Sequence, residues 1–280
     1  IVQSARVSYG KGTSKVSHDR GLIRYLMRHR HSTPFEMVEF KFHCKMPIFV
    51  ARQWVRHRTA NINEYSLRYS EARDEFYIPK SDQIEFQSAT NKQGRAGQVP
   101  DDLKNKVIDY FNEISDRSFE IYSELNEAGV ARELARAILP VNLYTEWYWK
   151  NDLHNLLHFI GLRSDSHAQY EIRVFSDAMA SFVKKVAPHA WEAYQDYAVH
   201  GLRFSKIEQN ILSEKLSNSS IDDLLEDIAY SITASLHNNK PRTDDELFKL
   251  YSDNGGLDNL NDFQIKWNIA NFELGNVREL

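Results

Sequence analysis

The chain holds a single cysteine, Cys44, among 280 residues, so no internal disulfide can form and a cysteine-rich structural zinc site is excluded. No stretch approaches the roughly 18 apolar residues of a membrane-spanning helix, and the N-terminus has no basic-then-apolar order of a signal peptide. The cytoplasm is the expected compartment, and no membrane partner is expected. Initiator Met is also missing: the chain opens at Ile1-Val2 in apolar sequence and reads as trimmed. Gly10-Lys11-Gly12-Thr13 does not have the spacing of a phosphate loop, and no GxGxxG follows a strand pattern, which argues against a Rossmann fold. No internal repeat appears.

What is present is ordinary for a globular protein: 42% hydrophobic and 26% charged residues, enough to build a sizeable core unaided. Net charge is -4 and unevenly spread. From Ser205 to the end there are 7 basic and 14 acidic residues, a net of -7, which leaves +3 for residues 1 to 204. The front part suits anionic ligands and the tail would repel them, so nucleic acid is not an expected partner.

Leu22, Ile23, Leu26 and Met27 recur at helical spacing between His18 and Arg30, with Ser17 as a candidate cap. Val38, Phe40, Phe42, Cys44 and Met46 then alternate with Glu39, Lys41, His43 and Lys45, the period of a strand buried on one face, which places Cys44 in a core. Pro47 opens a helical stretch, IFVARQWVRHR, with Arg52 and Arg56 one turn apart. FYI at 76–78 reads as a short strand, and the polar residues 80–100 as a surface loop. Helices are expected over 101–128, ended by Gly129, over ARELARAIL, over 152–162 and over 165–186, with Pro188 interrupting a continuation. The aromatic residues Tyr144, Trp147, Tyr148 and Trp149 read as helix faces serving assembly or a core. Two more helical patterns lie near 221–236 and 244–251. The fold class expected is α+β, an antiparallel sheet flanked by helices. Residues 1–204 would form one domain, and residues 205–280 an acidic helical extension without residues that suggest chemistry.

Between Arg52 and Arg73 lie five arginines, one histidine and only two carboxylates, Glu64 and Glu71, interleaved with Tyr65, Ser66 and Tyr69. The planar guanidinium fork grips phosphate or carboxylate with two hydrogen bonds, so this cluster is a candidate pocket for a phosphorylated ligand. A solvated basic face is the plain alternative. Ser66 has no Gly-x-Ser-x-Gly elbow around it and is a poor nucleophile, and Cys44 on a core-facing strand is another. His154 and His158 are four apart on one helix face but have no Glu between them of the zinc-protease kind, so no metal is expected. A buried structural histidine pair is the alternative there.

Arg56-His57-Arg58, seven residues, then Ser66, within RHRTANINEYSLRY, resembles the signature of the flavin-dependent thymidylate synthases. ARVSYG at 5–10, HSTPFE at 31–36, FVARQW at 49–54, FYIP at 76–79, LPVNLYT at 139–145 and LRSDSHAQYEI at 162–172 extend the resemblance over about residues 1 to 200. It implies conversion of dUMP to dTMP, with methylenetetrahydrofolate as carbon donor and FAD, reduced by NADPH, as hydride source. It also implies a homotetramer with sites between subunits and no covalent bond from the enzyme to uracil. By motif position, Thr33, Arg56, His57, Arg58 and Glu64 would contact FAD. Asp152, Leu153, His154 and His158 would do so where some members carry an Asn-x-Arg, then Asn, pattern. The dUMP pocket would use Gln53, Trp54, Val55, Arg56, Glu64, Tyr65, Ser66, Leu67, Arg68, Arg136 and Arg163. Arg163 would be the catalytic arginine that contacts uracil and favours ionisation of N3. A helix-end arginine capping carbonyls is the alternative for that residue. Two rival functions are a non-catalytic nucleotide- or nucleic-acid-binding module using the same arginines, and a flavoprotein that has lost synthase activity.

Overall fold

The computed structural model describes residues 1–7, 16–89, 94–202 and 204–208. The helical patterns expected near 221–236 and 244–251 lie outside the described residues. The chain divides into two compact units, Ile1–Pro34 with Val186–Leu280, and Phe35–Lys185.

In the first unit, α1 (Val2–Arg6) and α2 (Val16–Arg28) precede, and α9 (Pro188–Tyr194) follows, with a π-helical turn over Gln195–Val199. Ser17 lies inside α2, not ahead of it. Pro188 occupies the first turn of α9, where its missing N–H costs nothing. Charge ties α2 to this segment: Arg20 Nε donates to Glu192 at 3.0 Å, and the buried Arg24 pairs with Glu192 and Asp196 while lying over the Tyr197 ring.

The second unit is built on a three-stranded antiparallel sheet in the order β1-β5-β2, with β1 over Glu39–Pro47, β2 over Asn61–Glu64 and β5 over Tyr144–Asp152. The central strand, β5, is the one that the sequence pattern assigned to aromatic helix faces. Strand pairing overrides that reading: Thr145, Trp147, Trp149 and Asn151 are buried, while Tyr148 between them is exposed. The buried set faces Met46, Cys44, Phe42 and Phe40 across β1. On the opposite face His43 stacks on Tyr148 with centroids 4.6 Å apart.

Helices cover the buried face. A first short helix, α3 (Thr33–Glu36), leads into β1, and α4 (Ile48–Trp54) leaves it through Pro47. Trp54 is fully buried and lies 5.5, 5.4, 5.0 and 5.6 Å from the rings of Trp147, Trp149, Phe159 and Phe175. The aromatic rings thus lock the end of α4 against β5. Leucines and Phe159 of α7 (Leu153–Arg163) and Ile172, Met179 and Val183 of α8 (Tyr170–Val186) complete the core.

The remaining expectations fare unevenly. The long helix forms as α5 (Asp101–Glu127) and is ended by Gly129 at φ +77. ARELARAIL gives only one turn, α6 (Arg132–Ala135), followed by a 3-10 turn, Arg136–Ile138, because Pro140 removes the next donor. Helix α8 starts at Tyr170, not at 165, since Asp165 holds the backbone N–H of His167 in a turn at 2.8 Å. FYI is no strand; a single bridge, Phe76 to Leu143, is all it makes. The expected surface loop, 80–100, carries a 3-10 turn and a hairpin of β3 (Glu85–Gln87) with β4 (Arg95–Gln98). Both hairpin strands are exposed on both faces, so they leave no hydrophobic alternation to read.

Candidate active site

Helix α4 stops at Trp54, with Val55 as its C-cap, so Arg52 and Arg56 do not share a helix face as the pattern suggested. Burial of Trp54 and the bond from the His57 N–H to the Trp54 carbonyl, 2.9 Å, turn the chain there. Arg56 and Arg58 are exposed in that turn, and among the described residues neither forms an ion pair. Gln53 is half-buried, and its Oε1 is sealed from solvent with no partner in the protein. The partnerless amide oxygen of Gln53 and the guanidinium groups of Arg56 and Arg58, without ion pairs, are separate groups that suit a polar ligand.

His57 turns inward from the same segment. Its Nε2 accepts a 2.9 Å hydrogen bond from Arg163 Nε, and its ring stands edge-on to Phe159 with centroids 4.9 Å apart. Burial, with help from the Arg163 charge and from His158, lowers the His57 pKa from 6.5 to about 4. Burial likewise lowers the pKa of Arg163. Arg163 is the last residue of α7, but its side chain points to His57 and does not cap the helix carbonyls.

Beyond the turn, β2 ends at Glu64, whose Oε1 accepts from Thr145 Oγ1 at 2.7 Å. Tyr65 donates its N–H to the Glu146 carbonyl, at 2.8 Å, and its hydroxyl to the Glu71 carbonyl, at 2.7 Å. Ser66 opens a turn in which its carbonyl accepts from the N–H groups of Tyr69 and Ser70, and its Oγ meets only the Arg68 N–H, at 3.4 Å. No base reaches it among the described residues. Leu67 is half-buried, Arg68 stands 3.9 Å from Glu133, Arg73 stands 3.5 Å from Glu146, and Arg132 reaches Glu71 at 3.0 Å. Arg136 is half-buried at the start of its 3-10 turn.

The other predicted contacts spread more widely. Trp54 and Leu153 are completely buried, so their side chains are spent in packing. Asp152 is the N-cap of α7: its Oδ1 accepts the Asn155 N–H at 2.9 Å. His154 and His158 are both exposed, which rules out the buried structural pair. Thr33 is exposed at the first residue of α3. Among the described residues no three His, Cys, Asp or Glu side chains converge as a metal site, and no described helix is long and apolar enough to cross a membrane. Cys44 is buried, and burial pushes its thiol up to about 12.

A feature with no warning in the sequence is a cavity of about 590 Å³ walled by Phe49, Tyr77, Tyr110, Phe111 and Val141, with the buried Glu171 at its edge. None of the predicted site residues lines it.

Residues 1–189 match the family described as thymidylate synthase complementing protein. The chain belongs to that family. The flavin-dependent thymidylate synthase of Ehrlichia ruminantium (strain Gardel) is 52% identical over 221 residues, covering 79% of this chain and 74% of the relative. The enzyme of the same name from Dictyostelium discoideum is 52% identical over 208 residues, 74% of this chain and 68% of that protein. Among solved structures, the UMP/dUMP methylase PolB from Streptomyces cacaoi, bound with 5-Br dUMP, is 34% identical with a TM-score of 0.64, over 70% of this chain and 88% of that one. The chain is therefore an α+β member of this family, and its segment Arg56-His57-Arg58 to Ser66 occupies the turn and strand that follow helix α4.

Proposed function

We propose that the chain converts dUMP to dTMP, taking the carbon from methylenetetrahydrofolate and using FAD that NADPH reduces. The observation that carries the reading is Arg163: Nε is committed to His57, while among the described residues the two Nη groups have no partner and remain available to an oxygen-rich ligand. A guanidinium so placed stays charged and stabilises negative charge as it spreads over a uracil ring. The buried, high-pKa thiol of Cys44 supports a route without an enzyme-bound uracil, since a thiolate is what would attack.

When bound, the flavin supplies the hydride chemistry. Arg56, His57 and Arg58, with Thr33, Glu64, Asp152, Leu153, His154 and His158, are the proposed FAD contacts; for the fully buried Leu153 this means its backbone. Gln53, Trp54, Val55, Arg56, Glu64, Tyr65, Ser66, Leu67, Arg68, Arg136 and Arg163 are the proposed dUMP contacts. The free Oε1 of Gln53 suits a ring N–H, and the cationic Arg56 and Arg68 suit the phosphate. Glu64, anchored by Thr145, holds the end of β2 in place between the two binding functions. A cytoplasmic homotetramer with sites between subunits, and residues 205–280 as a separate extension, complete the reading. Ser205 and Glu208 bond to each other's backbone region in a capping box that would start a helix there.

Spectroscopy on the purified, undialysed protein tests this directly. Flavin bands that bleach on anaerobic addition of NADPH with dUMP, and tritium release from C5-labelled dUMP in the presence of methylenetetrahydrofolate, are expected. A colourless protein that refuses added FAD would replace the enzyme by a nucleotide-binding module. Bleaching without tritium release would leave a flavoprotein lacking the synthase step.

A further inference from the structure

His57 and Arg163 are 106 positions apart in the chain and meet through one short hydrogen bond, Arg163 Nε to His57 Nε2, 2.9 Å. Arginine can only donate, so the imidazole nitrogen facing it must be unprotonated and the ring proton must sit on Nδ1. The histidine cannot drift: its backbone N–H is tied to the Trp54 carbonyl, and its ring abuts Phe159, which is itself buried between Trp54 and Trp149. One imidazole nitrogen is therefore presented from the aromatic core toward the end of α7.

The consequence falls on the arginine. A free arginine side chain has four rotatable bonds and samples many fork orientations, whereas fixing Nε fixes the guanidinium plane. One of the five N–H groups is consumed, and the four on the Nη atoms are without partners among the described residues. Protonation of the ring at Nε2 would replace this attraction by two facing donors and two like charges. The charged and titratable groups facing His57 from α7 are Arg163 and His158; burial, with the Arg163 charge and the neighbouring His158, holds the ring in its neutral form.

We propose that His57 is a positioning residue for the dUMP reaction, which fixes the guanidinium plane of Arg163 through its unprotonated Nε2 and so aims the Nη groups at the pyrimidine. The proposal rests on the reading of Arg163 as the uracil contact. It gives His57 a role toward dUMP beyond the flavin contact proposed for it, whereas the exposed cations Arg56 and Arg58 would act on ligand alone.

A double-mutant cycle on the flavin-loaded enzyme, read as the dUMP dissociation constant, tests it. His57→Ala is expected to weaken dUMP about tenfold in the wild-type background, the loss of one hydrogen bond to a charged group. In the Arg163→Met background the same change is expected to matter less than about twofold, because the group it positions is gone. His57→Gln, whose amide oxygen can accept from Nε, should recover much of the affinity. Equal losses in both backgrounds, with flavin retained, would overturn the proposal. The imidazole ¹⁵N signals of the wild-type protein decide it independently of any variant's folding: at about pH 7, His57 should show the Nδ1–H tautomer. A proton on Nε2 there would refute the arrangement even if dUMP binds as proposed. Failure of the wild-type enzyme to bind dUMP, with Nδ1–H present, would remove the reaction being served and with it the positioning role.

Discussion

Arg95 Nη2 on β4 lies 2.6 and 2.7 Å from the two carboxylate oxygens of Glu171 in α8, and the Tyr77 hydroxyl donates to the same carboxylate at 2.7 Å. Glu171 is 5% exposed, so this contact fastens an otherwise solvent-exposed hairpin to the core of its unit. Burial raises the carboxyl's pKa, but the bonds from Arg95 and Tyr77 outweigh it and hold it below the usual range.

Removing one partner of such a pair strands the other. Arg95→Ala should cost about 2 to 3 kcal/mol, toward the low end for a buried pair because Arg95 is itself partly exposed. The midpoint of denaturant unfolding measures it. A depressed carboxylate contributes its stability above its unfolded pKa and loses it as pH falls through the lower, folded one. The wild-type and Arg95→Ala midpoints should therefore converge in acid, below the ordinary titration range of a glutamate. A difference that persists there would mean that Arg95 acts by packing alone.

The His57 imidazole has the opposite kind of constraint. Its folded pKa, about 4, is below the 6.5 of the free side chain, so between those values the unfolded chain binds more protons than the folded one. Stability contributed by the neutral ring is complete above 6.5 and falls as pH drops toward 4. His57→Gln cannot titrate, and its melting temperature should decline less over that interval than the wild type's. Parallel thermal melts of both proteins across the interval check this, and parallel curves would contradict it.

The elements that the sequence made legible are those with an unambiguous period or stop. Strand β1 alternates strictly from Phe40 to Met46, and α5 runs from Pro100 to a glycine that adopts positive φ. Strand β5 was hidden because Trp147, Tyr148 and Trp149 form an unbroken aromatic run, whose alternation appears only once Tyr148 faces out against His43. The density of arginines between Arg52 and Arg73 is readable in the sequence as a candidate ligand site, but the Arg163–His57 bond is a tertiary contact that no spacing encodes. The same is true of Glu171, which looks like any helix-start acid until Arg95 arrives from the hairpin.

Cys44 supplies a clean negative test. Its side chain is buried opposite Trp147 and burial pushes its thiol up to about 12, so essentially none of it is thiolate at neutral pH. A disulfide-exchange reagent should leave the native protein unlabelled and label one equivalent after denaturation. Cys44→Ala should keep turnover within about twofold while costing roughly 1 kcal/mol of stability for the lost core volume. A large loss of turnover with flavin and fold intact would restore the thiol as a participant.

Arg163→Lys keeps the charge and discards the fork, which makes it the sharper probe of the proposed chemistry. The ammonium is a point charge on a flexible stem, so it can neither donate through Nε to His57 nor present two parallel N–H groups to a ring. If charge spreading over uracil is stabilised by an oriented guanidinium, losing that orientation should cost about 10²-fold in turnover, the size seen when one preorganised donor is removed. Flavin occupancy, which the proposed contacts of Arg56, Arg58 and the rest of the turn would maintain, should change little. Tritium release and flavin absorbance on the same preparation separate the two. If both fall together, Arg163 is a support for the end of α7 and the turn it touches, and the uracil contact must be sought elsewhere in the arginine cluster.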